Sequence, residues 1–504
     1  DFITKVNKLD RVLDPADKRA FLADLAAQKL GATVTPEEAK FIAAGAKKVS
    51  ELKTKYDPET ETWSSPEDRL AFGHAQQEYR EAVGILIRDA KALTLKDRLK
   101  LQNMGRNAYD AAAASKGIVA SLDNSFYGRQ GIKMLFTHPT VWANGFKKSW
   151  ADMATALGGK DPMLALHAEV GSRVNAMNGK YKNMKLAIGL DVEEAFPTTL
   201  PEKIPIFGRF YKASEAAFVG GAVRMRADLA DIMIRQAEAN GVDLSRPGKQ
   251  AQSIGALINA MTGRGNIGRL SGDVTNAVFF SARFLASNIE TLTAHYGGLG
   301  FEAGPARKFA RKEAAKNLMK IIGGMATVLA IAEQLWPGSV EEDPRSSDFG
   351  KIKIGNSRFD ISGGMGSLVT VASRFVPALA GEGWSKSSTT GKWTNLSSGK
   401  FGARNALDVL EDFVEGKASP AAGVILRRLS GQGSDRRPFE WNKELAGAVT
   451  PIPYSNMVKN MNEPGAAPFL ATTIADALGI SVSTFSQAKP KANPKTPFDF
   501  LTAP

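Results

Sequence analysis

Along most of the first 335 residues, apolar side chains recur every three or four positions between polar ones, the spacing of helices that bury one stripe. Asp14-Pro15-Ala16-Asp17 ahead of FLADLAAQKL supplies a cap, a proline suited to a first helical position and then the stripe. Thr35-Pro36-Glu37-Glu38 and Ser65-Pro66-Glu67-Asp68 repeat that start, with a polar break over 56–68 between them. Three helices in a row predict an N-terminal bundle. Residues 214–240 read as the clearest amphipathic helix, with Phe218, Ala222, Leu229 and Met233 on one face and Gly241 as terminator. Another short helix covers 251–261.

After Pro337 the texture changes. KIKIGNSRFDIS, 351–362, alternates apolar and polar about Gly355-Asn356 and predicts a hairpin. A polar loop or second hairpin follows at 384–397, helices return at 405–415 and 420–429, and FLATTIADALGI forms a last short helix. The expected fold class is mainly α, a multi-subdomain assembly of helical bundles with one or two short β-hairpins in the C-terminal third. A chain of 504 residues exceeds what one hydrophobic core organises. Its expected divisions are an N-terminal bundle (1–106), a central helical region (107–300), basic and apolar helices with the hairpin region (301–440), and a proline-rich end with its tail (441–504).

Two segments carry candidate function. In 304–335, GPARKFARKEAAKNLMK sets Arg307, Lys308, Arg311, Lys312, Lys316 and Lys320 against the single Glu313. It runs straight into IIGGMATVLAIA, which contains Ile321, Gly323, Gly324 and Leu329 and no charge; Trp336 and the acids Glu341, Glu342 and Asp343 close it. Cations on one side and an aromatic then acids on the other suit a helix that meets a membrane or a partner, and Gly323-Gly324 permits close helix approach. The uncharged run falls short of the roughly 20 residues that a span requires. The same text therefore also fits a buried core helix with a solvated basic half. The second segment interleaves Phe126, Trp142 and Trp150 with Arg129, Lys133, Lys147 and Lys148. Such a pattern can stack on nucleic-acid bases or lie at a membrane interface, and the same ring density also packs helices together.

Composition narrows the chemistry. Residues AVILMFWYC make up 43%, which supports packed cores rather than wholesale disorder. Cysteine is absent, which excludes disulfides, thiolate metal sites and cysteine nucleophiles. No two of His74, His138, His167 and His295 lie close enough in sequence to clamp a metal from one helix. Gly263-x-Gly265-x-x-Gly268 has dinucleotide-fingerprint spacing, but it follows a helix where that motif requires a strand, so an interhelical turn is expected. No phosphate loop, His-Glu-x-x-His or nucleophile elbow occurs. Ser50-x-x-Lys53 and Ser397-x-x-Lys400 are chance matches, and the neighbouring carboxylates Glu193-Glu194 and Glu341-Glu342 point apart. A structural or interaction protein is expected, with no enzyme activity, cofactor or metal. The net charge of +13 is modest, and it attracts polyanions only where it is clustered. The first twenty residues lack a secretory pattern, and a Pro/Lys-rich strap follows Ala488, so the chain is expected to be part of a longer polypeptide.

Several strings carry a family resemblance. YKASEAAFVGGAVRMRADLAD, INAMTGRGNIGRL followed by NAVFFSARFLASNIETL, EDPRSSDFGKIKIGNSRFDISGG, KSSTTGK and FVEGKASPAAG resemble the large polyvalent protein-associated domain near the C-terminal end of very long bacteriophage polypeptides. SLDNSFYGRQGIKMLFTHPTVWANGFKKSW resembles the stretch preceding it, so the likeness spans roughly 120–485. It implies a protein packaged in the virion and delivered into the host; joined with the helical, cysteine-free reading, the expectation is an internal virion protein that forms part of a conduit across the envelope. The partners it implies are further copies of itself, portal or core proteins, phage double-stranded DNA and the host membrane. It implies a location inside the capsid and, after ejection, in the host envelope or cytoplasm. It names no catalytic residues. Two other readings stay open: a non-specific DNA-associated virion protein, and the non-catalytic portion of a larger phage enzyme.

Overall fold

The computed structural model describes residues 36–91, 115–116, 118–119, 126–160, 162–188, 207–268, 278–297, 304–388, 391–397, 404–431, 433, 438–462 and 467–485. The helix expected after Asp14, the pair Glu193-Glu194 and the strap after Ala488 lie outside them. The fold is mainly α with a few short antiparallel strand pairs.

Helix α1 (Pro36–Lys53) and α2 (Pro66–Lys91) pack together across a small hairpin, β1 (Tyr56–Asp57) with β2 (Thr62–Trp63). Both helices begin at the predicted prolines. The Ser65 hydroxyl accepts from the Asp68 backbone N–H at 3.0 Å, satisfying a first-turn donor. The bundle leans on the central region because Gly73 of α2 lets the backbone of Ala168 approach where a Cβ would meet it at 2.5 Å.

The central region runs α3 (Phe126–Arg129), α4 (Ile132–Thr137), α5 (Pro139–Leu157), α6 (Pro162–Gly171), α7 (Val174–Met177), α8 (Lys180–Asn183), α9 (Phe207–Ala239), α10 (Lys249–Met261), α11 (Ala282–Thr293) and α12 (Pro305–Leu335). A 3₁₀ turn, Ala294–Tyr296, follows α11. The spine is α9, 33 residues and about 50 Å long. Phe218, Ala222, Leu229 and Met233 are buried as the periodicity requires, but every residue from Gly220 to Ala227 is buried too. Two full turns without an exposed position make α9 a surrounded helix rather than a one-faced one, and small residues allow this. Tyr127 wedges between α5 and α9 where Gly145 and Gly221 leave room; a Cβ on Gly221 would meet its ring at 2.7 Å.

The C-terminal part contains β3 (Lys351–Ile354), β4 (Ser357–Asp360), α13 (Met365–Leu379), β5 (Trp384–Lys386), β6 (Trp393–Asn395), α14 (Ala406–Lys417), α15 (Pro420–Ser430), α16 (Trp441–Ala448), α17 (Ile452–Asn462), α18 (Phe469–Ala477) and β7 (Ser481–Thr484). The predicted hairpin turns at Gly355, with φ of 57°, and the second hairpin is β5 with β6. Unanticipated is β7, which adds to β4 with Val482 opposite Phe359, giving the order β3-β4-β7. Phe359, Ala467, Ala475 and Val482 form a small separate core beneath it. This part joins the central region where the Asn288 amide donates to the Gly363 carbonyl at 2.9 Å.

The glycines divide by what surrounds them. A methyl group on Gly265 would overlap the backbone nitrogen of Ser287, whereas Gly323 faces open space inside an exposed helix. Gly265→Ala is expected to cost about 1–3 kcal/mol by overpacking. Gly323→Ala is expected to add about 0.5–1 kcal/mol by helix propensity. The order of the two variants about the parent chain in thermal unfolding midpoint checks both.

Candidate functional site: a cationic and apolar surface helix

One unbroken helix, α12, contains both the basic and the apolar text of 304–335. It starts at Gly304, whose φ of 96° is open to glycine, and Pro305 takes the first helical position. Ala306, Phe309, Ala310, Ala314, Asn317 and Ile321 repeat at three- and four-residue intervals and are buried against α4, α10, α11 and the 3₁₀ turn. The opposite face exposes Arg307, Lys308, Arg311, Lys312, Lys316 and Lys320. Glu313, the lone acid of this half, is buried and paired with Lys316 at 3.3 Å. Lys320 donates to the Thr137 carbonyl at 3.3 Å and Arg311 to the His295 carbonyl at 2.9 Å.

The apolar half separates the two readings left open by the sequence. Only 11% of its most apolar eighteen-residue stretch is buried, so it is not a core helix. Met325 and Ala332 keep contact with the body, and Gly324 takes the Phe136 ring where a side chain would collide. That close approach is the one Gly323-Gly324 predicted, made by Gly324 alone. Leu329 is half-buried; Ile322, Ile331, Leu335 and Trp336 are each about half exposed or more. The first acid after the basic half, Glu333, is tied to the chain that leaves the helix: its carboxylate accepts from the Gly338 and Val340 backbone at 2.6 and 3.0 Å, which holds it below the usual carboxylate range. An uncharged outward surface of more than three helical turns results.

In the aromatic and basic segment, Phe126 and Lys133 are a correction. Phe126 is fully buried, and Trp142 stacks on Phe146 at 5.0 Å and meets Tyr127 edge-on, its indole N–H donating to the Tyr127 carbonyl. These rings pack α3 against α5; Phe126 is closed to a base or a lipid, and Trp142 is half-buried in the packing. Trp150 is 37% exposed at the rim, Lys148 pairs with Glu169 at 3.0 Å, Lys147 is exposed and Arg129 is half-buried.

Lys133 is the other departure. It is 1% exposed, and its ammonium donates to the Ala260 carbonyl at 2.7 Å and to Ser287, Asn288 and Thr291 of α11 at 3.2–3.3 Å. Fully buried Arg226 reaches Thr262 and the Ala187 carbonyl nearby. Both cations sit at the C-terminal end of α10, whose free carbonyls carry the negative pole of the helix. The Gly263-x-Gly265 turn leaves α10 from this point with φ of 84° at Gly263, and Gly265 donates to the Arg283 carbonyl. It is the interhelical turn expected. Sequence reasoning missed Arg226; three charges, Arg224, Arg226 and Asp228, inside the otherwise small and apolar GGAVRMRADLA were the available signal.

Among the described residues no cluster of three His, Asp or Glu is placed to hold a metal. Burial lowers Lys133 to about 7 from an ordinary 10.5, and burial raises Glu290, which also acts on it, to about 7 from 4.5. Lys133 therefore binds its proton less readily folded than unfolded, and it contributes stability that grows as pH rises from about 7 toward 10.5. Glu290 contributes stability that is lost as pH rises from 4.5 through about 7. Urea midpoints across this range should pass through a minimum near neutrality. Lys133→Met should flatten the alkaline limb and Glu290→Gln the acid limb.

Comparison of the chain with known protein families, curated proteins and solved structures returned no match.

Proposed function

We propose that the chain is an internal protein of a phage virion, a helical scaffold that leaves the particle with the genome and meets the host envelope through α12. The observation that supports this most is the exposure of the apolar half of α12 directly beyond six cations. An apolar stretch of helix left in water marks a surface awaiting lipid or protein, and cations beside it favour an anionic membrane. The resemblance to the phage domain supplies the setting, and the fold is compatible with it. Helices form from local contacts and refold fast after passage through a narrow tail, and without cysteines no disulfide obstructs that passage. Partners in this reading are other copies of the chain, portal or core proteins, packaged DNA and then the host membrane. The chain acts as a scaffold, not as an enzyme.

Quantitative mass spectrometry of purified particles, before and after receptor-triggered emptying, tests the reading. The chain is expected in full virions and lost from emptied ones. Retention in the shells would make it a capsid component, and absence from full particles would remove the proposal.

A further inference from the structure

We infer that the open cleft at the start of α12 binds the phosphate of an anionic phospholipid headgroup. The inference rests on the membrane contact proposed above and gives it a ligand. The cleft has a volume of about 450 Å³ and is lined by His295, Gly304, Arg307, Lys308, Arg311 and Lys312. Four cations share one small space, and among the described residues no carboxylate forms an ion pair with any of them. Like charges this close repel unless an anion sits between them. Arg311 is held in position by its bond to the His295 carbonyl, so one guanidinium is already oriented when a ligand arrives. His295 Nδ1, shielded from solvent, has no hydrogen-bond partner among the described residues. The uncapped start of α12 adds its partial positive charge to the same space.

The chemistry required is a phosphate carrying negative charge, and the rest of the helix selects its source. From Lys312 to Ile322 is ten residues, about 15 Å along the axis. With α12 lying at a membrane surface, the cleft sits among headgroups while exposed Ile322, on the same side of the helix as Arg311, enters the acyl boundary, about 5–10 Å deep. Duplex DNA offers phosphates but nothing to cover that apolar face. Free phosphate covers neither the face nor the remaining cations.

Flotation of the full chain with two vesicle types tests this: phosphatidylcholine alone, and phosphatidylcholine with phosphatidylglycerol in equal amounts. The expected result is strong binding to the mixed vesicles only. Arg307→Gln/Lys308→Gln/Lys312→Gln, three exposed side chains, should weaken it about a hundredfold. A control removing three exposed cations elsewhere, Lys182→Gln/Arg209→Gln/Lys353→Gln, should weaken it far less. Equal loss in both triple variants would mean diffuse attraction and would overturn the cleft. If the cleft variant floats like the parent while Ile322→Ser does not, the membrane reading stands and the cleft falls. No flotation of the parent chain with either vesicle removes the membrane reading itself. Tighter binding to duplex DNA than to mixed vesicles, lost in the cleft variant, would reassign the site to nucleic acid. Single Arg307→Gln and Lys312→Gln variants, with thermal midpoints matched to the parent, keep the comparison valid should the triple change alter folding.

Discussion

The C-terminal end of α10 is where the central region is held in register. Two buried cations, Lys133 from α4 and Arg226 from α9, converge on carbonyls of its last turn and of Thr262 beyond it. A buried charge is very costly unless each of its donors finds an acceptor. Lys133 meets that condition only when α4, α10 and α11 stand in one arrangement, because its acceptors come from Ala260 on one side and Ser287, Asn288 and Thr291 on the other. A slip of any of the three helices strands an ammonium in the core. The pair therefore specifies geometry more than it adds stability. Asn288 passes the constraint on, since its amide holds the Gly363 carbonyl at the entrance to α13.

A second polar system works along α9. Arg224 binds Asp152 through both guanidinium nitrogens, and Arg173 holds Asp228 and Asp231 at 2.7 and 3.0 Å. Tyr181 adds a 2.6 Å bond to Asp231. Arg224, Asp228 and Asp231 lie on one helical stripe, so a helix enclosed by neighbours still carries a charged seam where α5, α6 and α7 meet it. Glycine permits that closeness: a Cβ on Gly220 would meet the Asp152 carboxylate at 2.7 Å. The small residues of GGAVRMRADLA and its two arginines serve one purpose, close packing around charges that are all paired or hydrogen-bonded.

What was legible in the sequence was local. Ser65-Pro66 starts a helix because a cap and a proline act within one turn, Pro36 opens another at its first position, and Gly355 turns a hairpin because its φ is positive. The pairing of β4 with β7 is not local: Val482 lies more than a hundred residues from Phe359, and SVST is too short to declare a partner. Lys133 shows the same limit more sharply. Between aromatics it reads as part of a basic surface, and only acceptors 127 to 158 residues further along make it a core residue. For α12 the sequence supplied every cation and the apolar run, but not which side of the helix faced out. Nor did it place His295 beside Arg311, because the 3₁₀ turn that brings it there is set by contacts with α11 and α12.

The exposed apolar face of α12 is one part of a wider asymmetry. Leu407, Leu429, Met461 and Leu470 of α14, α15, α17 and α18 are each about two-thirds exposed or more, while the separate core of this part holds four buried side chains. Apolar area left in water forgoes roughly 25 cal/mol for each Å² that burial would have gained. The central region does bury its apolar side chains, around α9 and α10. The contrast sets a register-fixed central frame against a C-terminal part that leaves apolar side chains exposed. A helix such as α12 belongs to both, because its buried stripe is fixed by α10 and α11 while its outer face is free for another phase or another chain. That division lets the chain keep its internal geometry whatever the outer face of α12 meets.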